Sequence, residues 1–339
     1  MSLLALGLDL GSSGLRLALA EHSSGGGTQL LIEESIAYPR PFSDPRGWRE
    51  GVVDLVARLD PSLRCRVAAI AIAGTSGTLL RCHSDGTLLS GEEGLALPYH
   101  LSCSEQAAEA RRLCGDPGSP AASASGSLAR ALRLIAMAEP AGVSQKGLSG
   151  LQTQAAVTPA VPPASAWISA AAGTQASTAE QQPIRALQSS TGPEDRADAL
   201  EADGSTPPNA ANRPLSLPRQ PAFLLRHQAD WLMGWLLGDW RWGEEGNNLR
   251  LGWDLERSRW SGTIGSQPWA EALPQIRASG SDLGALCPQV AAELGLPATC
   301  RVVAGSTDAN AGVLAADPQA GDGITVLGTT LVLKQFVDA

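Results

Sequence analysis

Two segments far apart in the chain share one pattern: an apolar strand, a glycine followed by two hydroxyl residues, and a second apolar strand. LDLGSSGLRLAL lies near the start and ITVLGTTLVLK near the end, so that Gly11-Ser12-Ser13 matches Gly328-Thr329-Thr330. Glycine lets the backbone turn tightly and approach a ligand closely. The N–H groups and hydroxyls that follow can cradle phosphate oxygens. Two such turns facing each other across a cleft would hold a triphosphate from both sides. One Gly-Ser-Ser-Gly turn alone is a weak signal, because most such turns are only turns. Its repetition around a Gly305-Ser306-Thr307-Asp308 element is a much stronger one.

The two turns differ in one residue that bears on chemistry. Asp9 precedes Gly11 by two positions, whereas Val326 holds the matching place before Gly328. Only the first turn therefore brings a carboxylate, the ligand type that a hard cation such as Mg²⁺ takes directly or through water. A charge within an apolar strand is costly unless it is paired or metal-bound. Asp308 falls where a strand meets a helix start, and two roles fit that place. It could be an N-cap, a task Ser306 or Thr307 could share. It could equally be a general base, since phosphoryl transfer to an alcohol needs a carboxylate that orients the hydroxyl and accepts its proton.

Around these turns the pattern reads as α/β. Leu3–Leu10, Leu15–Ala20 and Gln29–Ala37 are strand-like, and residues 48–60 place Val52, Val53, Val56 and Leu59 on one helical face. Arg66–Ala73 is a continuous apolar run suited to a buried parallel strand. The order βββαβ is the opening of a ribonuclease-H-like layer. A hairpin is expected over Thr78–Cys82 and the turn Ser84-Asp85-Gly86, and helices over Ser104–Leu113, Ser127–Ala138, Pro221–Trp240, Pro288–Leu294 and Ala309–Ala316. A strand is expected at Arg301–Ala304. Residues 139–219 are rich in Ala, Ser, Pro, Gln and Thr with Trp167 as the sole aromatic, which predicts a disordered or loosely packed insertion. Seven of the nine tryptophans lie between 231 and 269 and mark a dense packing region.

Composition removes several function classes. The net charge is −9 with no basic run, which argues against nucleic acid or an anionic membrane as the main partner. The six cysteines show no CxxC spacing, and they read as reduced bystander thiols even at Cys82-His83 and His100/Cys103. No apolar run approaches the roughly 18 residues of a membrane span. The N-terminal apolar run meets Asp9 and glycines and reads as a buried strand, not a signal peptide. A soluble cytoplasmic protein is the expectation.

Taken in order, LGLDLGSSGLRLAL, IAGTSGTLL with SDGTLL, HQADWLMGWLLG, NNLRLGWD, VVAGSTDANAGVLA and GDGITVLGTTLVLK resemble the FGGY carbohydrate kinases. The likeness covers about 1–138 and 220–334, and within the family it is nearest to the cyanobacterial and plant xylulose-kinase-like D-ribulose kinases. The resemblance implies the ribonuclease-H-like fold of the actin and sugar-kinase superfamily. Residues 1–138 and 220–316 would be the sugar-kinase N-terminal domain and 317–339 the start of a C-terminal nucleotide-binding domain. It also implies MgATP-dependent phosphorylation of a ketopentose, D-ribulose foremost, with xylulose as an alternative acceptor and no nucleic-acid or membrane partner. Asp308 would be the catalytic base and a sugar contact. Asp9 would touch the sugar or Mg²⁺, with Ser12 and Ser13 beside the substrate. Gly11-Ser12-Ser13 and Gly328-Thr329-Thr330 would be the two phosphate turns. The sequence departs from relatives at Ala73, where a polar residue is common, and in the 139–219 insertion. Relatives also continue beyond the equivalent of Ala339 with an adenosine-binding part, which leads to the expectation of a C-terminally truncated, catalytically impaired sugar-binding chain as the alternative reading. An actin-like or chaperone-type ATPase is disfavoured by the GTSGT and HQADW segments.

Overall fold

The computed structural model describes residues 3–23, 27–138, 221–316, 319, 321–327 and 331–335. The expected insertion at 139–219 and the turn Gly328-Thr329-Thr330 lie outside the described residues. Two compact units are present. The larger holds the described residues of Met1–Glu139 and Ala202–Ala315, and the smaller, among described residues, belongs to Ala316–Ala339.

The larger unit opens with strands β1 (Leu3–Leu10), β2 (Gly14–His22) and β3 (Thr28–Ala37), helix α1 (Pro45–Ala57), a single helical turn α2 (Pro61–Arg64), then β4 (Val67–Gly74) and β5 (Leu79–Cys82). Helices α3 (Ala107–Cys114) and α4 (Ser127–Ala138) follow. After the undescribed stretch come β6 (Leu224–His227), α5 (Gln228–Leu237), β7 (Trp242–Glu244), the short α6 (Glu245–Asn248) and a small hairpin of β8 (Trp253–Asp254) and β9 (Arg259–Trp260). The unit closes with β10 (Gln275–Arg277), β11 (Asp282–Ala285), α7 (Pro288–Leu294), β12 (Arg301–Thr307) and α8 (Asp308–Leu314). Its central sheet has the order β11-β12-β4-β1-β2-β3. The first three strands form an antiparallel meander, while β4 and β12 run parallel to β1. This is the ribonuclease-H-like arrangement that the βββαβ pattern predicts. The smaller unit contains an antiparallel hairpin of β13 (Gly323–Leu327) and β14 (Leu331–Gln335).

Alternation along β1 explains how the sheet is anchored. Leu4, Leu6, Leu8 and Leu10 are buried on one face, together with Leu15, Leu17 and Leu19 of β2. They meet Val52, Leu55 and Val56 of α1 and Trp231, Leu232 and Trp235 of α5 in one cluster. Helix α1 starts three residues before the predicted Trp48, because Asp44 caps it by accepting from Arg46 N–H at 3.1 Å and Pro45 fits its first turn. Trp48 is fully buried, stacks edge-on against Trp231 at 6.2 Å and donates its indole N–H to Phe42 O at 2.8 Å. Trp48→Ala is expected to cost about 3–5 kcal/mol, read as a lowered urea midpoint with an unchanged slope.

The sequence misassigned one element. Pro221–Trp240 is not a single helix, since Leu224–His227 forms β6, antiparallel to β5, before the helix begins at Gln228. A short apolar run does not reveal its period, and here the free edge of β5 captures it. Helix α5 ends at Leu237, where Gly238 takes the left-handed conformation at φ 67°. The expected Ser104–Leu113 helix is a 3₁₀ turn over Ser104–Gln106 followed by α3. Strand β12 runs three residues past the expected Ala304, through Thr307.

Candidate active site

The carboxyl ends of parallel strands are where open α/β sheets bind ligands, and the singled-out residues of the larger unit gather there. Asp9 of β1 pairs in register with Ala73 of β4, and Ala73 with Ser306 of β12. The strand ends that lead to Asp9 and Asp308 are thus two inter-strand spacings, roughly 10 Å, apart.

A β-bulge sets where Asp308 falls. Val303 pairs with Ala71 but Ser306 with Ala73, so Ala304 and Gly305 together oppose Ile72. A Cβ on Gly305 would lie 1.8 Å from Ile72 O, so only glycine admits this approach. The strand then hands over directly to α8. Thr307 is the cap, its hydroxyl accepting from Asn310 N–H at 3.1 Å. Asp308 occupies the first helical position, half-buried, and accepts from Ala309 N–H at 2.7 Å. The capping role that competed with catalysis in the sequence therefore belongs to Thr307.

Asp9 is joined to Arg16, its partner across the β1–β2 pair, by a 2.9 Å hydrogen bond through Oδ2. Its other oxygen, Oδ1, is buried and has no hydrogen-bond partner among the described residues. The turn between them is closed by Gly11 N–H donating to Gly14 O at 3.1 Å, with Ser12 and Ser13 exposed. Gly14 is a glycine because a Cβ there would meet Ile36 O at 2.4 Å. Gly11 is different. A Cβ there would meet Gly14 O at 3.7 Å and the Arg16 guanidinium at 3.9 Å, ordinary contact distances, so among the described residues packing does not demand glycine there.

Three residues to which the sequence assigned no role connect the site. Tyr38, just after β3, donates its hydroxyl proton to Gly11 O at 2.7 Å. Gln228, the first residue of α5, donates from Nε2 to the Tyr38 hydroxyl at 3.4 Å. Its Oε1 accepts from Thr75 N–H at 3.0 Å and from the Thr75 hydroxyl at 2.8 Å. Burial pushes the Tyr38 hydroxyl well above the usual tyrosine range; the Gln228 bond opposes this, and the nearby Asp9 and Asp308 carboxylates add to it. Nothing in the sequence marked Tyr38, and Gln228 stood out only as part of the HQADW segment, with no role attached.

Behind the β12 ending lies a buried polar network. Glu244 accepts from Gly246 N–H at 2.7 Å, Asn247 N–H and Asn247 Nδ2 at 2.8 Å each, and the Ser279 hydroxyl at 2.6 Å. Asn247 Nδ2 also reaches Ser306 O at 3.3 Å, bracing the segment that leads into Asp308. Ser127, His227 and Asp230 form a chain of contacts at 3.0 and 3.5 Å, but all three are fully buried, so this is interior bracing and not a nucleophile. Burial raises Glu244 to about 7, with the Ser279 hydroxyl and the Gly246 and Asn247 N–H groups pulling down and Asp230 pushing up. Between pH 4.5 and 7 the folded chain holds a proton that the unfolded chain has released, so stability falls as pH rises through that window. The loss due to Glu244 is roughly 3 kcal/mol. Urea midpoints at pH 5 and pH 7.5 should show this decline in the wild type, and Glu244→Gln should remove that part of it.

The site suits a magnesium–phosphate group in that Asp9 Oδ1 has no hydrogen-bond partner among the described residues and lies beside a turn whose Ser12 and Ser13 are exposed. Among the described residues no cluster of three or more His, Cys, Asp or Glu could hold a metal by itself. Among the described residues no helix is long and apolar enough to cross a membrane.

No known family profile matches the chain. Solved structures share its fold. A carbohydrate kinase from Novosphingobium aromaticivorans superposes with TM-score 0.60 at 17% identity, over 98% of this chain and 57% of that one. A xylulose kinase from Rhodospirillum rubrum gives 0.59 at 17% identity, over 96% and 54%. A glycerol kinase from Plasmodium falciparum gives 0.59 at 12% identity, over 97% and 53%. The chain therefore has the mixed α/β fold of the actin-like ATPases and sugar kinases, and it spans a little over half the length of these structures.

Proposed function

We propose that this chain is an FGGY-type carbohydrate kinase polypeptide whose site phosphorylates a ketopentose, D-ribulose, from MgATP. The observation that carries this reading is the placement of Asp9 and Asp308 at the carboxyl ends of β1 and β12, either side of β4, with the phosphate-type turn following Asp9. Residues 1–138 and 220–316 form the sugar-kinase N-terminal domain in this reading, and 317–339 begin a nucleotide-binding domain. Gly328-Thr329-Thr330 is the second phosphate turn by its likeness to Gly11-Ser12-Ser13.

Asp308 acts as the general base. Its carboxylate orients a sugar hydroxyl and takes its proton as that oxygen forms a bond to the γ-phosphorus of ATP, while the bond from γ-phosphorus to the β,γ-bridging oxygen breaks and ADP leaves. Asp9 offers Oδ1 to Mg²⁺, directly or through water, and Arg16 holds the other carboxylate oxygen in place. When bound, Mg²⁺ neutralises charge that develops on the phosphates. The turn N–H groups and the Ser12 and Ser13 hydroxyls donate to phosphate oxygens. Thr75, fixed by Gln228, belongs to the loop on the sugar side.

The names of solved relatives, xylulose, gluconate and glycerol kinases, support a small polyhydroxylated acceptor. Calorimetric titration of the chain with D-ribulose, D-xylulose, gluconate and glycerol tests the acceptor. Tightest binding of D-ribulose is expected. Binding of none of the four would contradict the reading, and tighter D-xylulose binding would replace the proposed acceptor.

A further inference from the structure

We propose that Tyr38 is a positioning residue for the phosphate-binding turn: its hydroxyl grips the Gly11 carbonyl and so sets the direction in which the Ser12 N–H is presented. The inference rests on the reading of Gly11-Ser12-Ser13 as a phosphate turn and names what holds that turn in its binding form. A trans peptide is planar, and its C=O and N–H point to opposite sides. Fixing the Gly11 C=O on Tyr38 at 2.7 Å therefore turns the N–H of the same peptide, that of Ser12, away from Tyr38. Glycine supplies little backbone restraint of its own, and the Gly11 N–H to Gly14 O bond closes the turn without fixing that next peptide plane. Tyr38 adds the missing restraint.

Packing does not by itself call for the hydroxyl. The ring lies edge-on to Phe42 at 5.5 Å, a contact that phenylalanine would keep. The hydroxyl is also a node. It gives its one proton to Gly11 O and accepts from Gln228 Nε2, whose amide oxygen holds Thr75 on the sugar side. The charged groups acting here are Asp9 of β1, with Arg16 of β2 bonded to it, and Asp308 of α8. Both carboxylates favour the protonated phenol, so the donor to Gly11 persists. One side chain thus links the phosphate turn to the Thr75 loop through Gln228, and its loss should fall on phosphate binding before sugar binding.

The test compares two probes on the intact chain. Calorimetry with magnesium tripolyphosphate should show at least a tenfold loss of affinity in Tyr38→Phe, with D-ribulose affinity within threefold of wild type. Gln228→Met, which frees Thr75 but leaves the Tyr38–Gly11 bond, should show the opposite split. Tripolyphosphate affinity within twofold of wild type in Tyr38→Phe, or an equal loss of both probes, would overturn the assignment. A wild-type chain that binds neither probe would instead sink the phosphate-turn reading beneath it. A measurement on the unmutated fold covers poor folding of the variant. The chain has two tyrosines, Tyr38 and Tyr99, so 3-fluorotyrosine labelling gives two ¹⁹F resonances, assigned with Tyr99→Phe. Magnesium tripolyphosphate should move the Tyr38 resonance along a saturating curve and leave that of Tyr99 in place. A Tyr38 resonance indifferent to saturating tripolyphosphate would contradict the proposal.

Discussion

Asp308→Asn should lower phosphoryl transfer to D-ribulose by about a thousandfold, within the range that a positioned general base contributes. The substitution keeps the side chain's size and an oxygen that can still accept from Ala309 N–H, a bond of 2.7 Å in the wild type. It removes the group that takes the proton in the proposed mechanism. Because Thr307 caps α8, the helix keeps its start. D-ribulose affinity should stay within about tenfold, or ~1.4 kcal/mol. The measurement is a pair of titrations, initial rates in a coupled ADP assay and sugar binding by calorimetry. A variant that loses stability and sugar affinity together with rate would return Asp308 to a helix-terminus role.

Gly305→Ala should have the largest structural effect of any single methyl in the site. Its Cβ would lie 1.8 Å from Ile72 O, a backbone atom in the middle of β4 that no rotamer change can move aside. Either β12 separates from β4 or the bulge unwinds, and both shift Asp308. Overpacking of this kind costs about 1–3 kcal/mol or more, and the backbone partner places it at the upper end. Gly312 of α8 is the control, because a Cβ there meets nothing within 4 Å among the described residues beyond its own helix. Gly312→Ala should be neutral or stabilising by up to about 1 kcal/mol. Equal urea midpoints for Gly305→Ala and wild type would show that the bulge does not place Asp308.

The sheet was legible because its strands are long and strictly patterned. Leu4, Leu6, Leu8 and Leu10 alternate with exposed or half-buried neighbours, and the apolar run of β4 announces a parallel strand buried in the sheet. The Gly11 turn, Asp9 and the helix start at Asp308 were legible as local chemistry. Tyr38, Gln228 and Glu244 were not, because each matters through partners across the fold. Gln228 reaches Thr75, 153 residues away in sequence, and Tyr38 reaches Gly11 across 27. The Leu224–His227 strand was hidden for the same reason. Its pairing with β5 is a tertiary event, and the four residues Leu-Leu-Arg-His ahead of a helix carry no period. The bulge at Gly305 shows only as a glycine until the β4 register is known.

The most direct test of the account is ADP formation by the chain with MgATP, measured with and without D-ribulose and repeated with Asp308→Asn. The account predicts ADP release that depends on the sugar and vanishes in the variant. Sugar-independent release, or release that survives Asp308→Asn unchanged, would contradict it.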